Sequence, residues 1–274
     1  SGKVAVNPDG TLDRASMQTI INPDDLNAVE AALSLKDELG CKVVAFTMGP
    51  PPAEGMLREL MAMGVDEGVL VTAREFGGSD TYATSQIIAA AIDTYGIEKD
   101  DIILAGRQAI DGDTAQVGPQ VAEKLSWPQI TYAEEIVGTE GDELVIKRRL
   151  EHGVETVACP LPLVMTVNGS APECRPRHAK LVMKCKYAKT ASEMQEAQED
   201  YTDLRSERPY LNINEWSVAD IDADDQQLGL TGSPTKVKKI DNVVFAAKEA
   251  KRLTADDHDI DSLMQELIAS HTLG

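Results

Sequence analysis

The stretch Asp101-Ile102-Ile103-Leu104-Ala105-Gly106-Arg107-Gln108-Ala109-Ile110-Asp111-Gly112-Asp113-Thr114-Ala115-Gln116-Val117-Gly118-Pro119 decides the fold. Asp101 to Ala105 is a short apolar run of the kind that makes a buried strand, and a helix is expected from about Thr114 to Leu125. A turn between a strand end and a helix start lies in the crevice where open α/β sheets take their ligands. It offers free backbone N–H groups and the positive end of a helix dipole, which suit a pyrophosphate. Arg107 adds a fixed charge, while Asp113 and Thr114 can cap the helix or hydrogen-bond a ribose or phosphate. Taken alone, the segment reads more readily as a capped helix start with an ordinary turn, and the rest of the chain changes that balance.

The same alternation runs outward on both sides. Strands are expected at Lys42 to Thr47 and Gly68 to Thr72, with helices at Ala53 to Met63 and Thr81 to Tyr95, which is how a mostly parallel α/β sheet is written. A further helix from about Asp24 to Leu39 opens with Asn22-Pro23-Asp24, a cap residue followed by proline in the first turn. Its preceding strand is not visible, so either the sheet starts at Lys42 or an N-terminal strand is missing from the chain. Two further strand ends carry ligand-compatible turns: Met48-Gly49-Pro50, and Phe76-Gly77-Gly78-Ser79-Asp80-Thr81-Tyr82-Ala83-Thr84. Three such turns on the carboxyl edge of one sheet are better explained by a shared nucleotide pocket than by three plain connections.

From Gln129 to Val167 the rhythm changes to closely spaced strands, Gln129–Val137, Glu143–Leu150, Val154–Ala158 and Leu163–Val167, with turns at Gly141-Asp142 and His152-Gly153. These are expected to extend the sheet antiparallel. Beyond Ser170 the composition turns polar, with helices expected at about Ala191–Asp200 and Val243–Ser270. The chain thus divides into a nucleotide- or FAD-binding α/β domain, residues 1–170, and a C-terminal arm, residues 171–274, for contacts with a partner subunit and a dehydrogenase.

Composition narrows the function. A net charge of −20 opposes attraction to nucleic acid or to an anionic membrane surface. No apolar run approaches the roughly 18 residues that span a bilayer, and Ser1 to Asn7 is no signal peptide, so a cytoplasmic protein is expected. Cys41, Cys159, Cys174 and Cys185 form no CxxC pair, and His152, His178, His258 and His271 have no ligand-spaced or nucleophilic neighbour, so metal sites and side-chain catalysis are not expected. Redox work through a bound cofactor remains compatible, because the protein then supplies only position and electrostatics.

Gly106–Pro119, with Val145-Ile146-Lys147-Arg148-Arg149-Leu150-Glu151-His152-Gly153-Val154-Glu155-Thr156-Val157 leading into Pro162-Leu163-Val164-Met165-Thr166, resembles the signature of electron-transfer flavoprotein β subunits. Asn22-Pro23-Asp24-Asp25, Met48-Gly49-Pro50, Ala62-Met63-Gly64-Val65-Asp66 and Gly229-Leu230-Thr231-Gly232-Ser233-Pro234-Thr235 follow in the family's order. The resemblance implies a Rossmann-like, adenine-nucleotide-hydrolase-like fold and a heterodimer with an α subunit that carries its own FAD. It further implies a nucleotide in this chain, AMP in conventional members and a second FAD in the electron-bifurcating branch. There the FAD exchanges a hydride with NAD(H) and divides electrons between a ferredoxin or flavodoxin and the α-subunit FAD. The segments Asp111–Pro119 and Gly77–Ser85 resemble the bifurcating branch.

Carried over position by position, Asn22, Asp24, Met48, Gly49, Gly106, Arg107, Gln108, Ala109, Asp111, Gly112, Asp113, Thr114, Ala115, Gln116 and Val117 would surround adenosine and phosphates. Phe76, Gly78, Ser79, Asp80, Thr81 and Thr84 would lie towards the flavin. Leu181 and Met183 would meet an FAD-dependent dehydrogenase of lactate or acyl-CoA type. The chain departs from the family at His152, at its N-terminus, and at Arg175–Lys186, which is shorter and more basic before its leucine. Two rivals are an ATP pyrophosphatase, suggested by the approximate phosphate loop Phe76–Thr81, and a nucleotide-sensing domain without redox function.

Overall fold

The computed structural model describes residues 20–110, 112–198, 202–236 and 250–273. The expected stretch Ser1–Asn7, the site residue Asp111, and parts of the two expected C-terminal helices, Glu199–Asp200 and 243–249, lie outside the described residues. Residues 250–273 form a unit apart from the body that ends at Lys238.

In the body, α1 (Pro23–Leu39) leads to β1 (Val44–Met48), α2 (Glu54–Met63), β2 (Glu67–Val71), α3 (Thr81–Tyr95), β3 (Ile102–Gly106) and α4 (Val117–Leu125). Then come β4 (Gln129–Glu140), β5 (Glu143–Leu150), β6 (Gly153–Pro160) and β7 (Leu163–Val167). The remainder supplies α5 (Ala179–Cys185), α6 (Ala191–Glu196), α7 (Thr202–Glu207), β8 (Asn214–Trp216) and the short α8 (Gly229–Gly232). The separate C-terminal unit holds α9 (Asp257–Ala269).

One expectation is corrected by the strand order. The described strands form two sheets, a parallel β1-β2-β8 and a five-stranded β3-β7-β4-β5-β6, so the three turns do not share one sheet. The sheets meet through side chains: Phe46 of β1 and Ile103 of β3 pack on the same cluster as Ala89 and Ile92 of α3 and Val121 of α4. In the larger sheet β3, β7 and β4 run parallel, and β5 and β6 add the expected antiparallel extension.

Strand alternation explains why β2 is buried on both faces. Leu70 packs with Leu57 and Met61 of α2 and with Cys185, Ala188 and Ile213, while Val69 and Val71 pack with Phe76, Ile87, Ala91, Ile221 and Leu228. Part of the expected arm therefore belongs to the α/β body, since β8 pairs with β2 in register Val69↔Asn214 to Val71↔Trp216. The larger sheet carries Ile130, Ala133, Leu144, Ile146, Leu163, Met165 and Val167 against Ala28 of α1. Fully burying a side chain such as Ile146, Leu163 or Met165 stabilises the fold by about 1.5–3 kcal/mol.

Two glycines fix the spacing around β3. A Cβ on Gly106 would stand 2.5 Å from the backbone nitrogen of Asp25, and one on Gly118 would stand 2.5 Å from Cγ2 of Thr166. The start of α1 and the start of α4 can therefore lie against the ends of β3 and β7 only with hydrogen at these positions.

Candidate functional site

The carboxyl end of β3 brings together Asn22, Asp24, Gly106, Arg107 and Gln108 of the predicted residues. Asp25 Oδ1 accepts from the Gly106 N–H at 2.6 Å, and Asn22 Nδ2 donates to the Gln108 carbonyl at 2.7 Å. Arg107 Nε lies 3.3 Å from Asp24 Oδ2, and its N–H donates to the Val167 carbonyl at 2.9 Å. Asn22 was expected to cap α1, but its side chain makes no capping bond and instead crosses to Gln108, 86 residues away. A segment with little local reason for its conformation is thus held by β3 and the β7 loop.

The helix expected from Thr114 begins three residues later, at Val117. Asp113 and Ala115 hold positive φ, 25° and 53°, a conformation that an α-helix cannot include, so α4 starts beyond them. Asp113 Oδ1 accepts from the Gln108 amide, and the Asp113 N–H donates to the Ala109 carbonyl at 3.1 Å, closing the turn. The cap position of α4, Gln116, contributes no side-chain bond to the first-turn N–H groups. A positive-φ turn feeding an uncapped helix start is an anion-accepting arrangement. Gly112, Asp113 and Thr114 are exposed there, and nothing lies within 4 Å of where a Gly112 Cβ would be.

Buried acceptors sharpen this picture. Asn22 Oδ1 and Gln120 Oε1 are buried with no hydrogen-bond partner among the described residues, an arrangement that costs about 1–3 kcal/mol per group unless a ligand or water donates. Gln120, on the first turn of α4, escaped sequence reading because an isolated glutamine on a helix carries no pattern. Asn22 Oδ1 suits a ribose hydroxyl or an amino group, and the turn suits phosphate oxygens. The residues present therefore fit an adenosine phosphate, the portion that AMP and FAD share.

The second predicted loop reaches this turn through one bond, Thr81 Oγ1 donating to Gln116 Oε1 at 2.9 Å. Its other members are placed differently. Phe76 is 4% exposed, with its ring in the core, and its carbonyl receives Ser79 Oγ at 2.7 Å. Gly78 has φ +75° and faces the Leu230 side chain, where a Cβ would stand 2.5 Å away. Asp80 caps α3 through Ala83, and its second oxygen accepts from both Thr235 N and Thr235 Oγ1. Burial alone would raise the Asp80 carboxyl, but the bonds from Thr235 and Ala83 hold it below the usual carboxylate range. Thr84 donates its N–H to the Asp80 carbonyl at 2.9 Å within the first turn of α3. In the Met48–Pro50 turn, Gly49 N donates to the Val71 carbonyl at 3.1 Å, and Met48 packs against the core around Val69 and Val71.

Beside Arg107 lies a cleft of about 380 Å³ lined by Arg107, Tyr132, Arg149, Leu150, Glu151 and Asn168. Its two arginines are matched by carboxylates, Arg107 by Asp24 and Arg149 by Glu134, so it carries no cationic excess. Of the two residues expected to meet a dehydrogenase, Met183 is 68% exposed while Leu181 is half-buried. Positions two apart on a helix point to different sides, so α5 does not present both to one surface. Tyr187, one turn beyond Met183 and 64% exposed, was not anticipated. Among the described residues no helix is long and apolar enough to cross a membrane, and no group of three or more His, Cys, Asp or Glu side chains could hold a metal ion.

Residues 9–199 match the electron transfer flavoprotein domain. The chain is 48% identical to the acryloyl-CoA reductase electron transfer subunit gamma of Anaerotignum propionicum, over all of this chain and 95% of that one. It is 44% identical to the electron transfer flavoprotein subunit beta of Clostridium acetobutylicum, covering 87% of this chain and 82% of the relative. It is 49% identical to subunit CarD of the caffeyl-CoA reductase–Etf complex of Acetobacterium woodii, over 61% of this chain and 63% of the relative.

Proposed function

Because this chain belongs to the electron transfer flavoprotein domain family, we propose that it is the β-type subunit of an electron-bifurcating heterodimer and holds the adenosine and phosphates of an FAD at the end of β3. The observation that carries the reading is the pairing of a buried acceptor, Asn22 Oδ1, that has no partner among the described residues, with the positive-φ, uncapped turn before α4. In this arrangement Asn22 Oδ1 accepts from the nucleoside, and the N–H groups of the 112–117 turn other than that of Asp113, which is bound to Ala109, receive phosphate oxygens. Arg107, neutralised in part by Asp24, fixes the shape of the turn more than it supplies net charge. Ser79, Thr81 and Thr84 lie on the loop and first turn of α3 that would face the rest of the cofactor. When bound, FAD supplies the redox chemistry, exchanging a hydride with NAD(H) and sending electrons separately to a ferredoxin or flavodoxin and to an α-subunit FAD. For that chemistry the residues named here contribute position.

Two of the similar proteins are named for acryloyl-CoA and caffeyl-CoA reductases, which supports an acyl-CoA-type partner over a lactate-type dehydrogenase for this chain. The exposure of Met183 and Tyr187 supports these two side chains as its contacts. Cytoplasmic residence belongs to the same proposal, because its electron acceptors are intracellular proteins. The test is release and identification of nucleotide from the chain purified with its α partner. Two FAD per heterodimer are expected. One FAD accompanied by one AMP replaces the bifurcating reading with that of a conventional subunit, and no nucleotide in this chain overturns the site.

A further inference from the structure

The segment Gly229–Thr235 lies directly on the loop that enters α3, and its contacts are unusually specific for a surface crossing. Asp80 N donates to Ser233 Oγ at 2.8 Å, and Ser233 Oγ, on a residue 7% exposed, donates to the Gly229 carbonyl at 2.7 Å. Asp80 Oδ2 accepts from Thr235 N at 2.9 Å and from Thr235 Oγ1 at 2.6 Å. Gly229 has φ +53°, and a Cβ there would stand 2.2 Å from the Glu75 carbonyl oxygen, so the two backbones touch without room for a side chain. Leu230 covers Gly78 from the same segment.

On the far side of the same first turn, Thr81 Oγ1 bonds Gln116 at the entry to α4. Asp80 and Thr81 are consecutive, so a displacement of Asp80 moves Thr81 with it. Asp80 has both carboxylate oxygens committed, one to the cap of α3 and one to Thr235. An aspartate occupied in this way is a poor ligand for a nucleotide and a good anchor for the wall beside one.

We propose that Asp80, Ser233 and Thr235 form a clasp that positions the Thr81–Gln116 wall of the nucleotide site, so that nucleotide retention and the ordering of the 229–235 segment are linked. This rests on the nucleotide site proposed above. Asp80 is in this role a positioning residue, acting through Thr81. Linkage is reciprocal: what the clasp adds to nucleotide binding, the nucleotide returns to the clasp.

The decisive comparison is Thr235→Val, which removes only the hydroxyl donor, against Thr235→Ser, which keeps it. Both are made in the full chain purified with its α partner, and release of FAD or AMP into nucleotide-free buffer is followed by chromatography. Thr235→Val is expected to lose nucleotide about tenfold faster than the parent, with Thr235→Ser at the parental rate. Amide exchange at residues 78–81 and 229–235 is expected to slow on nucleotide loading in the parent and much less in Thr235→Val. Nucleotide that is present but leaves both variants at the parental rate, or both equally fast, overturns the clasp and leaves the site reading intact. A parent that carries no adenine nucleotide overturns both.

Discussion

Replacing Gly106 by alanine tests the central geometric claim, that the start of α1 is seated on the end of β3. The new Cβ would lie 2.5 Å from Asp25 N and 2.6 Å from both the Asp24 carbonyl carbon and Asp25 Oδ1. Two of these three are backbone atoms, so no rotamer change relieves the contact. Moving from 2.5 Å to the 3.4 Å at which ordinary contact begins requires an opening of about 0.9 Å between helix and strand. Overpacking of this kind costs about 1–3 kcal/mol. The 2.6 Å bond from Gly106 N to the Asp25 carboxylate stretches with it, and a hydrogen bond to a charged group contributes about 1.5–3 kcal/mol. The expected loss is about 2.5–6 kcal/mol, out of a total that for domains of this kind is about 5–15 kcal/mol. Urea unfolding at neutral pH measures it as a lower midpoint at unchanged slope. Because Asn22 and Asp24 move with the helix, bound nucleotide per chain falls as well. Gly112→Ala, with nothing within 4 Å of the added carbon, serves as control and is expected to stay within about 0.5 kcal/mol. A Gly106→Ala protein as stable as that control, with its full complement of nucleotide, would refute the seating argument.

Two further outcomes follow from the same structure. Gly118→Ala drives a methyl to 2.5 Å from Thr166 Cγ2, on a residue 3% exposed, and should destabilise by about 1–3 kcal/mol. Part of that loss should return in the double variant with Thr166→Ser, so simple additivity in a double-mutant cycle would contradict the contact. The second concerns pH: the Arg175 guanidinium beside Glu30, 2.8 Å away, holds that carboxyl below its usual 4.5. A depressed carboxyl stabilises the fold above its unfolded pKa and loses the effect as pH falls through the folded value. Arg175→Gln should therefore be less stable than the parent at neutral pH, with the difference shrinking below about pH 4.5. A difference that is constant down to pH 3 would show that packing, and not the ion pair, links this arginine to α1.

Most of the element order was legible because it is written in local periodicity. The run Leu163–Val167 and the alternation in β5 admit little besides strands, and Gly106 followed by a polar turn marks a strand end before a helix. The start of α4 was placed three residues early because Thr114 is a good cap residue, whereas its neighbours Asp113 and Ala115 take positive φ to meet the rest of the site. The polar stretch after Ser170 hid β8, since three residues with one tryptophan form a strand only because β2 offers an edge. Phe76 and Asp80 belong to a loop whose composition suggested ligand contact, yet one fills the core and the other anchors Thr235. No local pattern distinguishes those roles.

By itself, then, the sequence determined the α/β class, the family signature in Gly106–Pro119 and Val145–Val157, and the position of a turn able to receive phosphate. These depend on spacing, glycine and backbone propensity, which act between near neighbours in the chain. Only the tertiary structure decided that the strands divide into two sheets, that Asn22 reaches Gln108 and keeps a buried acceptor free, and that Gly229–Thr235 closes over Asp80. Those are contacts between residues 86 to 155 positions apart, fixed by how the layers pack, and side-chain chemistry at either end is the same whether or not the other end arrives.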